Sequence, residues 1–145
     1  MDRKRSIMNF DFSSEKQKES LLHTLIEISA SDGSIADGEF VYILQVGLSL
    51  GFNEKEIRRI WSAPRKALLI PKNENERMTI LCYIIFLVKT DNKVNSDEEN
   101  LIHYYGLKLG FSPLMISDFI KVIKKNLNTK LSPEWLVQEL KKYLN

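Results

Sequence analysis

The chain has 145 residues, 43% of them hydrophobic and 28% charged, with a net charge of +2; this suits one globular domain and excludes a strong electrostatic pull toward nucleic acid or an anionic membrane. Cys82 is the single cysteine, which excludes an intrachain disulfide. No secretory h-region is visible, and the most apolar run, Met78 to Val88, spans about 11 residues, too short to cross a bilayer, so a cytoplasmic location is the expectation.

In chain order, residues 1–12 are expected to form a loose arm. Ser14 opens the first helix, with Gln17 at capping-box spacing. Leu21, Leu22, Leu25 and Ile28 mark its inward face, and it should end near Ala30. Asp37 is the expected N-cap of a second helix. Its apolar residues, Phe40, Val41, Ile43, Leu44, Val46, Leu48 and Leu50, are dense enough to imply burial on more than one side. Gly51 suits the left-handed residue that ends a helix. Gly47, one turn earlier, costs about 1 kcal/mol relative to Ala in a helix, and points to close approach of another helix. Asn53 and Glu56 cap a third helix that carries Ile57, Ile60 and Trp61 inward. Ser62 is expected to cap one further short turn through Leu69, within a linker of residues 62–74.

The second half repeats the first. Met78 to Lys89 is apolar nearly all round, which predicts the central buried helix. Ser96 is the expected cap of the next, with Glu99 completing a capping box. Gly106 and Gly110 repeat Gly47 and Gly51. Ser112-Pro113 starts another helix, with proline at its tolerated first position. Ser132-Pro133 starts a last one, from Glu134 to Leu144, striped by Trp135, Leu136, Leu140 and Leu144. The expected fold class is therefore all-α with about seven helices. Two pseudo-symmetric three-helix repeats, residues 14–61 and 75–125, would pack face to face about an approximate two-fold. A capping helix at 132–144 would complete a single domain over residues 1–145.

The duplication is clearest from Asp32 to Phe52 and from Asp91 to Phe111, which align without a gap at an offset of about 59 residues. It duplicates acidic residues: Asp32 matches Asp91 and Glu39 matches Glu98, with Asp37 and Asp97 as accessory candidates. An Asp and a Glu seven residues apart across a helix–turn–helix can converge on a hard cation such as calcium or magnesium. An ordinary EF-hand is excluded, because Ile28, Ala30, Leu87 and Lys89 stand where its first and third ligands belong. The same acids also serve as turn, cap and helix-dipole residues.

The run Asp-Gly-x-Ile, then Glu39, then Gly-Leu-x-Leu-Gly-Phe resembles the tellurite-resistance TerB-like family, over roughly Leu21 to Lys125. The resemblance implies an all-helical fold and a link to tellurite and other stress responses. It also implies suspected metal ligands in the turn, carried over to Asp32, Glu39, Asp91 and Glu98; Asn92 departs from the Asp-Gly pattern in the second copy. A related domain forms the N-terminal region of membrane-anchored DnaJ-type co-chaperones, but the His-Pro-Asp triplet of a J-domain is absent here.

No other chemistry is written in the chain. His23 and His103 do not match in the repeat and belong to no zinc pattern, and there is no Gly-rich phosphate loop or serine elbow. The expectation is a non-enzymatic protein-interaction module in a stress-related context, requiring no cofactor. The alternative is a divalent-cation sensor or sequestering domain that binds Ca²⁺ or Mg²⁺ through the acidic turns. Another protein is the expected partner. The lysines of the C-terminal third read as a solvated surface, and no nucleic acid is expected.

Overall fold

Helix starts in the first half of the chain recur in the second. The computed structural model describes residues 14–31, 35–64, 66–89 and 96–125. Among them are six α-helices and no strand. These are α1 (Glu15–Ser29), α2 (Asp37–Ser49), α3 (Glu54–Ser62), α4 (Glu74–Lys89), α5 (Ser96–Lys108) and α6 (Pro113–Lys125). Starts at 15, 37 and 54 are answered by starts at 74, 96 and 113, each about 59 residues on, the offset of the sequence repeat. The described residues are all-helical in class, as expected, with six helices among them rather than about seven. The arm at 1–12 and the expected helix at 132–144 lie outside them.

The boundaries repeat because their chemistry repeats. Ser14 Oγ accepts the Gln17 N–H at 3.1 Å, and Asn73 Oδ1 accepts the Glu76 N–H at 3.1 Å. Asn53 Oδ1 accepts the Glu56 N–H at 2.8 Å, and Ser112 Oγ accepts the Met115 N–H at 3.2 Å. Each cap satisfies an amide that the helix itself cannot, an effect of about 1 kcal/mol. At the other ends, Gly51 and Gly110 take φ of 99° and 93°, values open to glycine and strained for other residues. That turn lets the Phe52 N–H reach Gly47 O at 3.1 Å and the Phe111 N–H reach Gly106 O at 3.0 Å. Both aromatics are buried beneath the turn they close.

α4 is the central helix, as its all-round apolarity predicted. Met78, Ile80, Leu81, Cys82, Tyr83, Ile84, Ile85, Leu87 and Val88 are all buried. α4 packs against α1, α2 and α5, while α1 also packs against α2 and α3, and α6 lies on α5. The Tyr42 hydroxyl donates to the Tyr83 carbonyl at 2.9 Å, tying α2 to α4. Burial pushes that hydroxyl well above the usual tyrosine range. Cys82 is 0% exposed, and burial raises its thiol too, so it packs as a small hydrophobe.

Gly47 in α2 and Gly106 in α5 stand at close helix contacts. A Cβ on Gly47 would lie 2.8 Å from Ile57 Cδ1, and one on Gly106 would lie 2.6 Å from Ile116 Cδ1. Ile57 and Ile116 are themselves matching positions, on α3 and α6. Close packing, rather than flexibility, accounts for the repeated glycine.

Four expectations need correction. The N-cap of α2 is Ala36, and Asp37 is already the first helical residue. Ser96 likewise lies inside α5, so it is not the cap, and the Glu99 carboxylate pairs with Lys124 of α6. Among the described residues no turn of helix follows α3: Ala63 is extended, with φ −75° and ψ 155°, because the ring of Pro64 disfavours a helical residue before it. Finally, α2 is not buried on several sides. Tyr42, Ile43, Val46 and Leu50 are buried, but Phe40, Val41 and Leu48 are 44%, 50% and 58% exposed.

Candidate functional site

The acidic turns are only partly within the described residues. Asp32 and Asp91 lie outside them. Glu39 is the third residue of α2 and, unusually for a carboxylate, only 6% exposed. Its Oε1 accepts the Ala36 N–H at 3.4 Å, the reach-back half of a capping box; Ala36 has no side-chain oxygen to supply the other half. The carboxylate also sits at the positive end of the α2 dipole. Glu98 holds the same position in α5 and is half-buried, while Asp37 and Asp97 are exposed first-turn residues. Asp97, Asn100, Leu101 and Tyr104 of α5 and Ser31, beyond the end of α1, line an open hollow of about 540 Å³. The residue preceding Asp32 thus stands beside the acidic start of α5. Among the described residues, no three His, Cys, Asp or Glu side chains are grouped so as to hold a metal ion.

A second concavity lies on the opposite half of α1. After α3 the chain passes through residues 66–70 without helix or strand. It is pinned to α1 by the Leu69 N–H, which donates to Ser20 Oγ at 2.8 Å, and by the buried Leu68. Between this segment and α1 is a groove of about 410 Å³, with Lys16, Ser20 and His23 on one wall and Lys66, Ala67 and Leu69 on the other. Glu15 and Glu19 also border it. Arg59 of α3 holds Glu19 at 2.7 Å, and Lys18 holds Glu15 at 3.3 Å. His23 is 7% exposed. Burial lowers its pKa below the usual imidazole value; Glu19 and Glu27 oppose that shift, and Lys66 and Arg59 reinforce it. Near neutral pH the ring is therefore uncharged, with one nitrogen donating and the other accepting.

Motif reading passed over His23 because it belongs to no histidine pattern. The usable signal was the repeat itself: the matching residue is Cys82, so a histidine is not what the helix packing demands there.

No family model, no curated protein and no solved structure matches the chain. The likeness to TerB-like proteins thus rests on the turn motif and its duplication.

Proposed function

We propose that the chain is a TerB-like, non-enzymatic interaction module of the cytoplasm, acting in a stress-related setting, with its two three-helix units related by an approximate two-fold. The observation that carries the interaction reading is the outer face of α2. Val41, Leu44 and Leu48 recur at i, i+3 and i+7, so they form one stripe; Leu44 is half-buried and the other two are exposed. The repeat acts as an internal control. The matching positions of α5 are Asn100, His103 and Leu107, so the fold tolerates polar residues at two of the three. Exposed Val41 and Leu48, flanking Leu44 at the edge of the core, fit the apolar face of a partner's amphipathic helix. The expected result is that Val41→Asp with Leu48→Asp melts like wild type yet loses the proteins that wild type retains in an affinity capture. Retention of the same proteins by the double variant would refute the reading.

The burial of Glu39 favours one second reading, a divalent-cation site in the first acidic turn, completed by Asp32. Glu39 is 6% exposed at the start of α2, seven residues after Asp32, and its carboxylate is an oxygen donor of the type such ions take. A melt in chelator and then in excess calcium or magnesium tests it. Saturation at about 100 times the dissociation constant stabilises by about 2.7 kcal/mol, a rise of roughly 5–11 °C at about 2–4 °C per kcal/mol. Glu39→Gln and Asp32→Asn should each abolish that rise. An unchanged melt in all ions would leave Glu39 as a helix-capping acid alone.

A further inference from the structure

We infer that the groove between the N-terminal half of α1 and the 66–69 segment binds a small organic anion with an apolar body, of which a carboxylate is the simplest. Its volume of about 410 Å³ lies in the range of small-ligand pockets, roughly 300–1,000 Å³. The 66–69 segment is held against α1 by the Leu69 N–H on Ser20 and by the buried Leu68.

Charge selects the sign of the ligand. The two carboxylates at the border are already engaged, Glu19 by Arg59 and Glu15 by Lys18. Lys16 and Lys66 line the groove and form no ion pair among the described residues, which leaves two positive charges facing each other across it. Ala67, Leu69 and the lysine stems supply apolar contact for the body of the ligand.

Polarity places its head group. His23 is more than nine-tenths buried and lines the groove. None of the hydrogen bonds among the described residues uses its ring. Its ring nitrogens are not among the buried, unpartnered atoms, so they open to the groove; the matching position in the second repeat is the apolar Cys82. Glu19 is matched by Met78, which is also buried. Glu19 answers to Arg59 and Ser20 to the Leu69 N–H, which leaves His23 as the polar wall residue with no hydrogen bond among the described residues. A neutral imidazole can donate one hydrogen bond to a carboxylate while the lysines balance its charge.

The chain has two histidines, so the test can be read directly from imidazole nitrogen–proton spectra of the full chain at constant pH 7.5. Benzoate is the probe; benzylamine and benzyl alcohol are the cationic and neutral counterparts. The expected result is a saturable shift of the His23 ring signals by benzoate in the millimolar range, with the signals of His103, which does not line the groove, unmoved. Benzylamine should leave both histidines unmoved. Lys16→Glu with Lys66→Glu, both on the surface, should weaken benzoate by about tenfold or more. A His23 signal that ignores benzoate, or follows benzylamine and benzyl alcohol equally well, would overturn the proposal. So would unchanged affinity in the double-lysine variant.

Discussion

Gly106→Leu should lower the melting temperature by roughly 6–12 °C, the consequence of about 3 kcal/mol of overpacking at about 2–4 °C per kcal/mol. The first added carbon would already sit 2.6 Å from Ile116 Cδ1 and 2.8 Å from Cγ1, inside any real contact distance. Cγ1 lies in the stem of that side chain, and Ile116 is itself fully buried, so it has nowhere to turn. Gly47→Leu should behave alike. Its Cβ would meet Ile57 at 2.8 Å and Leu22 at 3.4 Å, which closes the crossing from two helices. Gly106→Ala combined with Ile116→Val should recover part of the loss of the single alanine variant, because removing Cδ1 vacates the nearest contact. Gly51→Ala and Gly110→Ala differ in kind. No atom lies within 4 Å of either added carbon, so their cost is backbone strain alone, of about 1–2 kcal/mol. Thermal melts of the five single variants and the double one decide the matter. Wild-type melting of Gly47→Leu and Gly106→Leu would show that α2–α3 and α5–α6 do not cross where the glycines stand.

Tyr83→Ala should cost about 3–5 kcal/mol, the range for emptying a large aromatic from a core. Tyr83 is among the largest fully buried side chains and lies in the middle of α4. The substitution leaves its backbone carbonyl in place, so the hydrogen bond from the Tyr42 hydroxyl can persist. The loss is therefore one of packing. Tyr42→Phe isolates the other contribution. It removes the hydroxyl while keeping the ring, and should cost about 1 kcal/mol. Urea unfolding midpoints at unchanged slope give both values. If Tyr83→Ala cost no more than Tyr42→Phe, α4 would not be the centre of the core.

Much of this fold was legible in the sequence, because duplication writes each local signal twice. Ser14, Asn53 and Ser112 cap helices through side-chain oxygens that sequence spacing can reveal. Gly51 and Gly110 end helices through a backbone angle that glycine alone adopts easily. The close approach at Gly47 and Gly106 could be inferred because a residue costly to a helix recurred at the same place. Failures came where the deciding contact is remote or absent. Ala36 caps α2 by position, with no side chain to advertise it. The density of apolar residues on α2 suggested burial, yet density cannot say which side another helix covers, and Val41 and Leu48 face outward. The groove at His23 was hidden for a related reason: its walls come from segments some 45 residues apart in sequence, joined by one hydrogen bond between Leu69 and Ser20. Of the acidic residues singled out, Glu39, Glu98, Asp37 and Asp97 fall within the described helices, and Asp32 and Asp91 do not.

The burial of α4 also has a consequence for synthesis. α1 precedes α4, but part of its packing is against α4, which ends about 60 residues later in the chain. At about 5–20 residues per second that part waits on the order of 3–12 s on the ribosome. During that interval the nascent first unit can pair α1 with α2 and α3, but must hold an open apolar surface that invites another nascent chain or a chaperone. A sluggish codon between α3 and α4 would lengthen the exposure without changing a single contact in the finished molecule.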